Sequence, residues 1–236
     1  MAVSFKPAVI STLFLAMTLS VGAASANALT EGFDSGVPTG WTVVNNSVPL
    51  GVNNWFQGNP AVFSSHQGAP NSYLGSNFNS GGGVSTISDW LILPTSTYHN
   101  GDTLSFYTRG VENSDYPDRL EVRFSNVGGT NVGSTASSVG TFSSLLLSVN
   151  PDLDVGGYPQ EWTKYSVTLS GLSGATSGAF AFHYSVTDGG PFGDNSDYIG
   201  IDTVSVTAVP EPSTYLMLGA GLGLVGLARK RKAKAA

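Results

Sequence analysis

Between residues 29 and 208 apolar and polar positions alternate with a period of two, and a 3.6-residue period is almost absent. Leu120, Val122 and Phe124 fall on one side of a strand, with Arg119, Glu121 and Arg123 on the other. Leu104, Phe106 and Thr108 alternate with Ser105, Tyr107 and Arg109, and Tyr165, Val167 and Leu169 with Lys164, Ser166 and Thr168. Phe180, Phe182 and Tyr184 alternate with Ala181, His183 and Ser185, which assigns His183 to the surface. Successive side chains of a strand point to opposite faces, so this pattern predicts antiparallel sheets with one apolar and one wetter side. Gly, Asn, Ser and Pro clusters at 77–83 and 128–140 punctuate the strands, and 126–138 reads as a mobile loop. Many short strands without a long internal repeat predict one all-β domain, an antiparallel jelly-roll β-sandwich over residues 29–208. In the last strand Ile199 and Ile201 share a face, Val204 and Val206 share a face, and the phase slips at Asp202-Thr203. The slip predicts a β-bulge, which would re-aim a side chain; burial of the strand on both faces is the alternative.

The two ends break the pattern. Residues 1–26 combine a basic start at Lys6, an apolar stretch from Ala8 to Ala24 and small-x-small sites at Ala24-Ser25-Ala26 and Ala26-Asn27-Ala28, which predicts a secretory signal peptide. At the other end, residues 209–236 place Val209-Pro210-Glu211-Pro212 before an apolar run over 213–228 and a basic block, Arg229 to Lys232. The run predicts one transmembrane helix, and the basic block keeps the tail cytoplasmic and the domain outside.

Composition narrows the function classes. The 236-residue chain is 11% charged, against roughly 25% in ordinary soluble proteins, and has 30 Gly and 12 Pro. It has no Cys, which excludes disulfides, thiolate zinc sites and cysteine nucleophiles. Residues 29–209 carry four basic against fifteen acidic side chains, a net charge of −11. Such a domain repels phosphates, so a nucleic-acid partner is excluded, and it attracts cations.

The order Val-Pro-Glu-Pro-Ser, apolar helix, basic end resembles the PEP-CTERM sorting signal of Gram-negative exopolysaccharide producers. The resemblance implies that an exosortase recognises Pro210, Glu211 and Pro212. The helix is then an inner-membrane anchor before processing, and the cell surface or extracellular matrix is the destination. Along the middle, Glu31-Gly32-Phe33-Asp34, Pro38-Thr39-Gly40-Trp41, Ser88-Asp89-Trp90-Leu91-Ile92-Leu93-Pro94 and Ile199-Gly200-Ile201-Asp202-Thr203-Val204 resemble, in that order, the choice-of-anchor J domain, related to cleaved adhesin domains. This implies a jelly roll, often calcium-binding, in adhesive contexts. It also implies a Ca2+ site where the first strand meets the last, at Glu31, Asp34 and Asp202.

From the residues themselves, two acidic loops compete for a cation: Asp188 to Asp197, and Asn150 to Gly156, which imitates the start of an EF-hand loop but lacks its closing Glu. The histidines are His66, His99 and His183, and neither His-Glu-x-x-His nor Gly-x-Ser-x-Gly occurs; no acid stands in a marked apolar surround, so the chain reads as a non-enzyme. Of the large aromatics, Trp41 and Trp90 read as core. Trp55, beside Asn53, Asn54 and Gln57, reads as the glycan-facing ring, with Tyr116 and Tyr158 as weaker candidates. Arg119, Glu121 and Arg123 with Asp118 read as an ion-paired solvent face, or else an anion site. The expected function is an exported adhesive module that binds extracellular polysaccharide and is stabilised by calcium. The alternatives are a matrix protein that contacts surface proteins and a weak glycan-active enzyme.

Overall fold

The computed structural model describes residues 29–209 and a short helical stretch, 219–222. The expected signal peptide, the Pro210-Glu211-Pro212 motif and the rest of the expected 213–228 helix lie outside the described residues. Among the described residues no helix is long and apolar enough to cross a membrane.

Residues 29–209 form two antiparallel sheets. The first has the order β11 (Thr163–Thr168), β8 (Thr103–Gly110), β13 (Tyr198–Thr207), β5 (Leu74–Asn77) and β4 (Phe56–Gln57), with β1 (Leu29–Glu31) also on β13. The second runs β10 (Ser144–Val149), β9 (Leu120–Ser125), β12 (Thr176–Gly189), β6 (Gly81–Ile92) and β2 (Thr42–Asn45). β3 (Val48–Leu50) and β7 (Ser96–Tyr98) add to β6 and β12. The pairing is that of one long hairpin rolled up. Its turn joins β9 to β10; along its arms β8 pairs with β11, β6 with β12 and β5 with β13. Rolling then brings β13 against β8 and β12 against β9. This is the jelly roll that the alternation predicts.

The inner faces follow the sequence pattern. Leu104 and Phe106 of β8, Leu120, Val122 and Phe124 of β9, and Phe180, Phe182 and Tyr184 of β12 enter one core between the sheets. Phe106 meets Phe182 edge-on at 4.9 Å, and Phe124 meets Phe180 at 5.0 Å. The slip in β13 is a bulge: its register on β8 shifts between Asp202 and Ser205, and Thr203 has φ +49°. A β-branched residue is strained there. The extra residue restores the phase, so Ile199, Ile201, Val204 and Val206 all reach the same core.

The outer faces depart from the expectation. The β9–β10 connection, residues 126–143, folds back over the second sheet, and its Val132 and Phe142 pack on Trp90, Ile92, Ala179 and Ala181. It is pinned by Thr141 N–H to the Asn131 carbonyl (2.8 Å) and by the Ser138 hydroxyl to the Val132 carbonyl (3.0 Å). His183, expected at the surface, is buried under this cover with its ring stacked on Trp90 at 3.7 Å. On the first sheet the β4–β5 connection supplies Phe63 and Tyr73, which pack with Tyr198, Phe56 and Trp162. Gly200 makes room for them; a Cβ there would stand 2.9 Å from the Phe63 and Trp162 rings.

The cover over β6 and β12 therefore contributes stability. Phe142→Ala is expected to cost about 3–5 kcal/mol in denaturant unfolding, with Trp90 emission shifted to the red in the folded state. A loss under about 1 kcal/mol would show that the cover is an ornament on an independently stable sheet.

Candidate functional site

The rolled hairpin brings four connections to one end of the sandwich: β5–β6, β8–β9, β10–β11 and β12–β13. Pairings such as Tyr198 with Asn77, Ile199 with Gly110, Tyr184 with Leu120 and Gly189 with Ser85 set their rims side by side. Asp118 ties them together. Its Oδ1 accepts the Tyr184 hydroxyl at 2.5 Å and the Asp197 N–H at 2.9 Å, and its carbonyl accepts Asn150 Nδ2 at 3.0 Å. Ser196 N–H also reaches the Pro117 carbonyl, and Phe78 N–H the Asp197 carbonyl.

On this frame sits an open groove of about 480 Å³. It is lined by Phe78 from the β5–β6 turn, Tyr116 from β8–β9, and Phe192, Asp194 and Asp197 from β12–β13. Phe192 is 81% and Tyr116 51% exposed. The Asp188–Asp197 loop holds its shape through Asn195 N–H to the Asp188 carbonyl and Gly190 N–H to the Ser196 hydroxyl, both 2.9 Å. Glycine is required at 190, where φ is +90° and a Cβ would lie 2.2 Å from the Gly83 carbonyl oxygen. Asp197 gives one oxygen to the Ser114 hydroxyl at 2.6 Å, and Asp194 is exposed. A groove of this size, with aromatic faces and a few convergent polar groups, is of ligand-binding dimensions.

Several expected site residues stand elsewhere. Trp55 does not face solvent: it is 2% exposed and its indole N–H reaches the Asp89 carbonyl, because the short β4 that follows it is paired into the first sheet. Tyr158 is buried with its hydroxyl on Thr108 at 2.6 Å. Of the three glycan-facing candidates Tyr116 lines the groove. Phe78 and Phe192 were missed, although Phe192 lies in Gly-Gly-Pro-Phe-Gly-Asp, a loop too polar and glycine-rich to bury it. The Asn150 loop is a closed turn, with Asn150 Oδ1 accepting the Asp154 N–H and Nδ2 donating to the Asp154 carbonyl, both at 3.0 Å.

The bulge aims Asp202 at the β4–β5 connection. Its Oδ2 accepts His66 N–H at 2.8 Å and Gln67 N–H at 3.0 Å, and its Oδ1 accepts Thr203 N–H at 2.5 Å. Burial raises its pKa against the pull of these donors. The three N–H groups orient the carboxylate and take up part of its acceptor capacity. Glu31 accepts Phe33 N–H at 2.7 Å, and Asp34 accepts the Ser72 hydroxyl at 2.6 Å. Among the described residues no three His, Cys, Asp or Glu side chains gather as a metal cage. Each of Glu31, Asp34 and Asp202 accepts hydrogen bonds from a neighbouring loop.

The expected ion-paired solvent face is instead a covered network. Arg123 donates to Glu121 Oε2 at 2.7 Å, and His183 Nδ1 lies 3.1 Å from that oxygen. His183 Nε2 lies 3.0 Å from Ser88 Oγ, which accepts the Trp90 indole N–H at 3.0 Å. One proton arrangement satisfies every group: Nδ1–H on Glu121, and the Ser88 hydroxyl donating to a neutral Nε2. Burial lowers the His183 pKa against the pull of Glu121. Burial opposes the Glu121 charge, but hydrogen bonds from His183 and Arg123 outweigh it and hold that carboxyl down at about 2. The order serine, imidazole, carboxylate resembles a nucleophile with its base, yet Ser88 is fully buried and its oxygen accepts the Trp90 indole N–H.

Two acids do lie in apolar surrounds, contrary to the sequence reading. Asp89 is pushed up to about 7 by burial, against hydrogen bonds from Ser80 and Ser76, and its Oδ1 has no partner. Asp118 is likewise pushed up to about 7 by burial, against hydrogen bonds from Tyr184 and Asp197.

Residues 208–232 match the PEP-CTERM protein-sorting motif. No curated protein matches the chain. The sandwich is similar to the K1 cleaved adhesin domain of Lys-gingipain from Porphyromonas gingivalis W83, with TM-score 0.55 at 22% identity over 77% of this chain and 98% of that one. The K3 domain of the same protein gives 0.52 at 21% identity, over 77% and 98%. The chain therefore joins a sandwich with the fold of cleaved adhesin domains to the sorting motif of exported, surface-directed proteins.

Asp89 yields a signed prediction. A folded pKa raised from 3.8 to about 7 binds protons that the unfolded chain has released. Its contribution is therefore full below pH 4 and is lost as pH rises toward 7. Asp89→Asn mimics the protonated acid, so at pH 8 it should stabilise the domain by roughly 1–4 kcal/mol, while near pH 4 it should be close to neutral. Denaturation curves at the two pH values check this; equal effects at both would show that the Asp89 pKa is not raised in the fold.

Proposed function

We propose that this protein is a non-catalytic adhesive module of the cell surface or extracellular matrix, and that it holds polysaccharide in the groove of Phe78, Tyr116, Phe192, Asp194 and Asp197. The observation that carries the reading is the meeting of three rings and two carboxylates on loops at one end of a rigid sandwich. A sugar ring offers an apolar C–H face for aromatic stacking and hydroxyls that donate to carboxylates, so both halves of the groove have a partner on one ligand. The sorting motif and the cleaved adhesin likeness support a surface role. On this reading an exosortase processes the chain at Pro210, Glu211 and Pro212, and the apolar tail anchors it in the inner membrane until then.

A second reading, a matrix protein that contacts other proteins, rests on a different surface: Val48, Leu50, Val52 and Val84 are 56–90% exposed on and beside β3 and on β6. Large exposed apolar patches mark contact sites.

Residues 29–209 should co-sediment with extracellular polysaccharide, and Phe192→Ala or Tyr116→Ala should each weaken this about tenfold, the scale of one aromatic contact. Unchanged binding in both variants would sink the groove. No sedimentation in any form would favour the exposed valines and a protein partner. The same assay in chelator reads whether Ca2+ contributes through Glu31, Asp34 and Asp202. Separately, replacing Pro210, Glu211 and Pro212 by alanine should leave uncleaved protein in the membrane fraction; a matrix product of normal size would refute processing at that motif.

A further inference from the structure

We infer that the groove selects uncharged polysaccharide and rejects uronate and sulfated chains; this rests on the groove being the glycan site. Two observations carry it. First, among the described residues those lining the groove include the carboxylates of Asp194 and Asp197 and no basic side chain. A ligand carboxylate entering there meets two like charges, whereas a neutral sugar brings hydroxyl donors that both acids accept.

Second, the domain has almost no cation to spare for an acidic chain. Of its four basic residues, Arg109 lies over the Phe63 ring at 4.6 Å and pairs with Glu161 at 3.6 Å. Arg119 donates to the Ser185 carbonyl at 2.7 Å and to the Pro151 carbonyl at 3.1 Å. Arg123 is held by Glu121 and the Phe142 carbonyl. Lys164 is exposed, but it stands on β11, and no residue of that strand lines the groove. Recognition of carboxylate or sulfate uses a guanidinium or ammonium free to pair with it, and three of the four are committed to holding the fold.

The discrimination is therefore electrostatic, while the binding is not. Stacking on Phe192 and Tyr116 and hydrogen bonds to uncharged hydroxyls vary little with ionic strength. Repulsion of a polyanion by a domain of net charge −11 is screened by salt.

The test is affinity electrophoresis of the full chain in mild detergent against mixed-linked β-glucan and galactomannan as neutral chains, alginate as a uronate and chitosan as a polycation. Expected is retardation by at least one neutral chain, lost in Phe192→Ala and unchanged between 50 and 500 mM salt, with alginate more than tenfold weaker at low salt. Asp194→Asn, at an exposed position that leaves the frame intact, should weaken the neutral chain several-fold and narrow the gap to alginate. Alginate bound as tightly as the neutral chains, and lost in Phe192→Ala, would overturn the selectivity but keep the groove as a glycan site. Chitosan bound through Phe192 more tightly than every neutral chain would also overturn the uncharged class. Retardation by no chain, in wild type and Phe192→Ala alike, would overturn the groove reading and this inference with it.

Discussion

The groove end of this sandwich depends on one buried carboxylate. Asp118 stands where the β8–β9, β10–β11 and β12–β13 connections meet, and it is the acceptor for a core tyrosine and for the backbone of the groove wall. Tyr184 belongs to the inner face of β12, so the bond from its hydroxyl links the packed core to the loop rim. Removing the carboxylate would leave the Tyr184 hydroxyl and the Asp197 N–H buried without a partner, a cost of roughly 1–3 kcal/mol each. Retaining it places a charge in apolar surroundings, which is why its proton is held to about pH 7. The positions of Tyr116, Asp194 and Asp197 all follow from loops that this group joins.

The inner half of the fold was legible because alternation is a local property. Phe180, Phe182 and Tyr184 must share a face whatever the rest of the chain does. The bulge was legible for the same reason, since a phase slip needs no knowledge of a partner strand. The outer faces were not. Whether Ala181 and His183 meet water depends on a segment some forty residues away in sequence, and the reading of 126–138 as a mobile loop hid Val132, while Phe142 just beyond it was given no role.

The site was half legible. Tyr116 and the Asp188–Asp197 loop were each visible as polar, turn-rich segments, but nothing in their spacing places them together; the rolled hairpin does that. Trp55 misled because Asn53, Asn54 and Gln57 around a tryptophan look like a wet surface, whereas Asn53 and Gln57 spend their amides on internal acceptors, Asn77 Oδ1 and the Phe33 carbonyl, and only Asn54 is exposed. Asp202 was legible in part. An acid beside a bulge is visible in the sequence, but the three N–H groups that meet it come from a loop whose path is not.

Charge is the thread that joins stability to the proposed function. Asp89 and Asp118 lose their stabilising contribution as pH rises from about 4 to 7, by the linkage already given. His183, whose pKa burial lowers, is neutral in the fold while the unfolded chain takes up a proton near pH 6.5, so its contribution is full above that value and is lost on acidification. The two effects run in opposite directions with pH. The same economy of cations that leaves three arginines inside the fold leaves the exterior acidic. On the proposed reading, the acidic exterior sets which chains are rejected, while contacts that do not need charge, a ring face and a hydroxyl, hold the one that is bound.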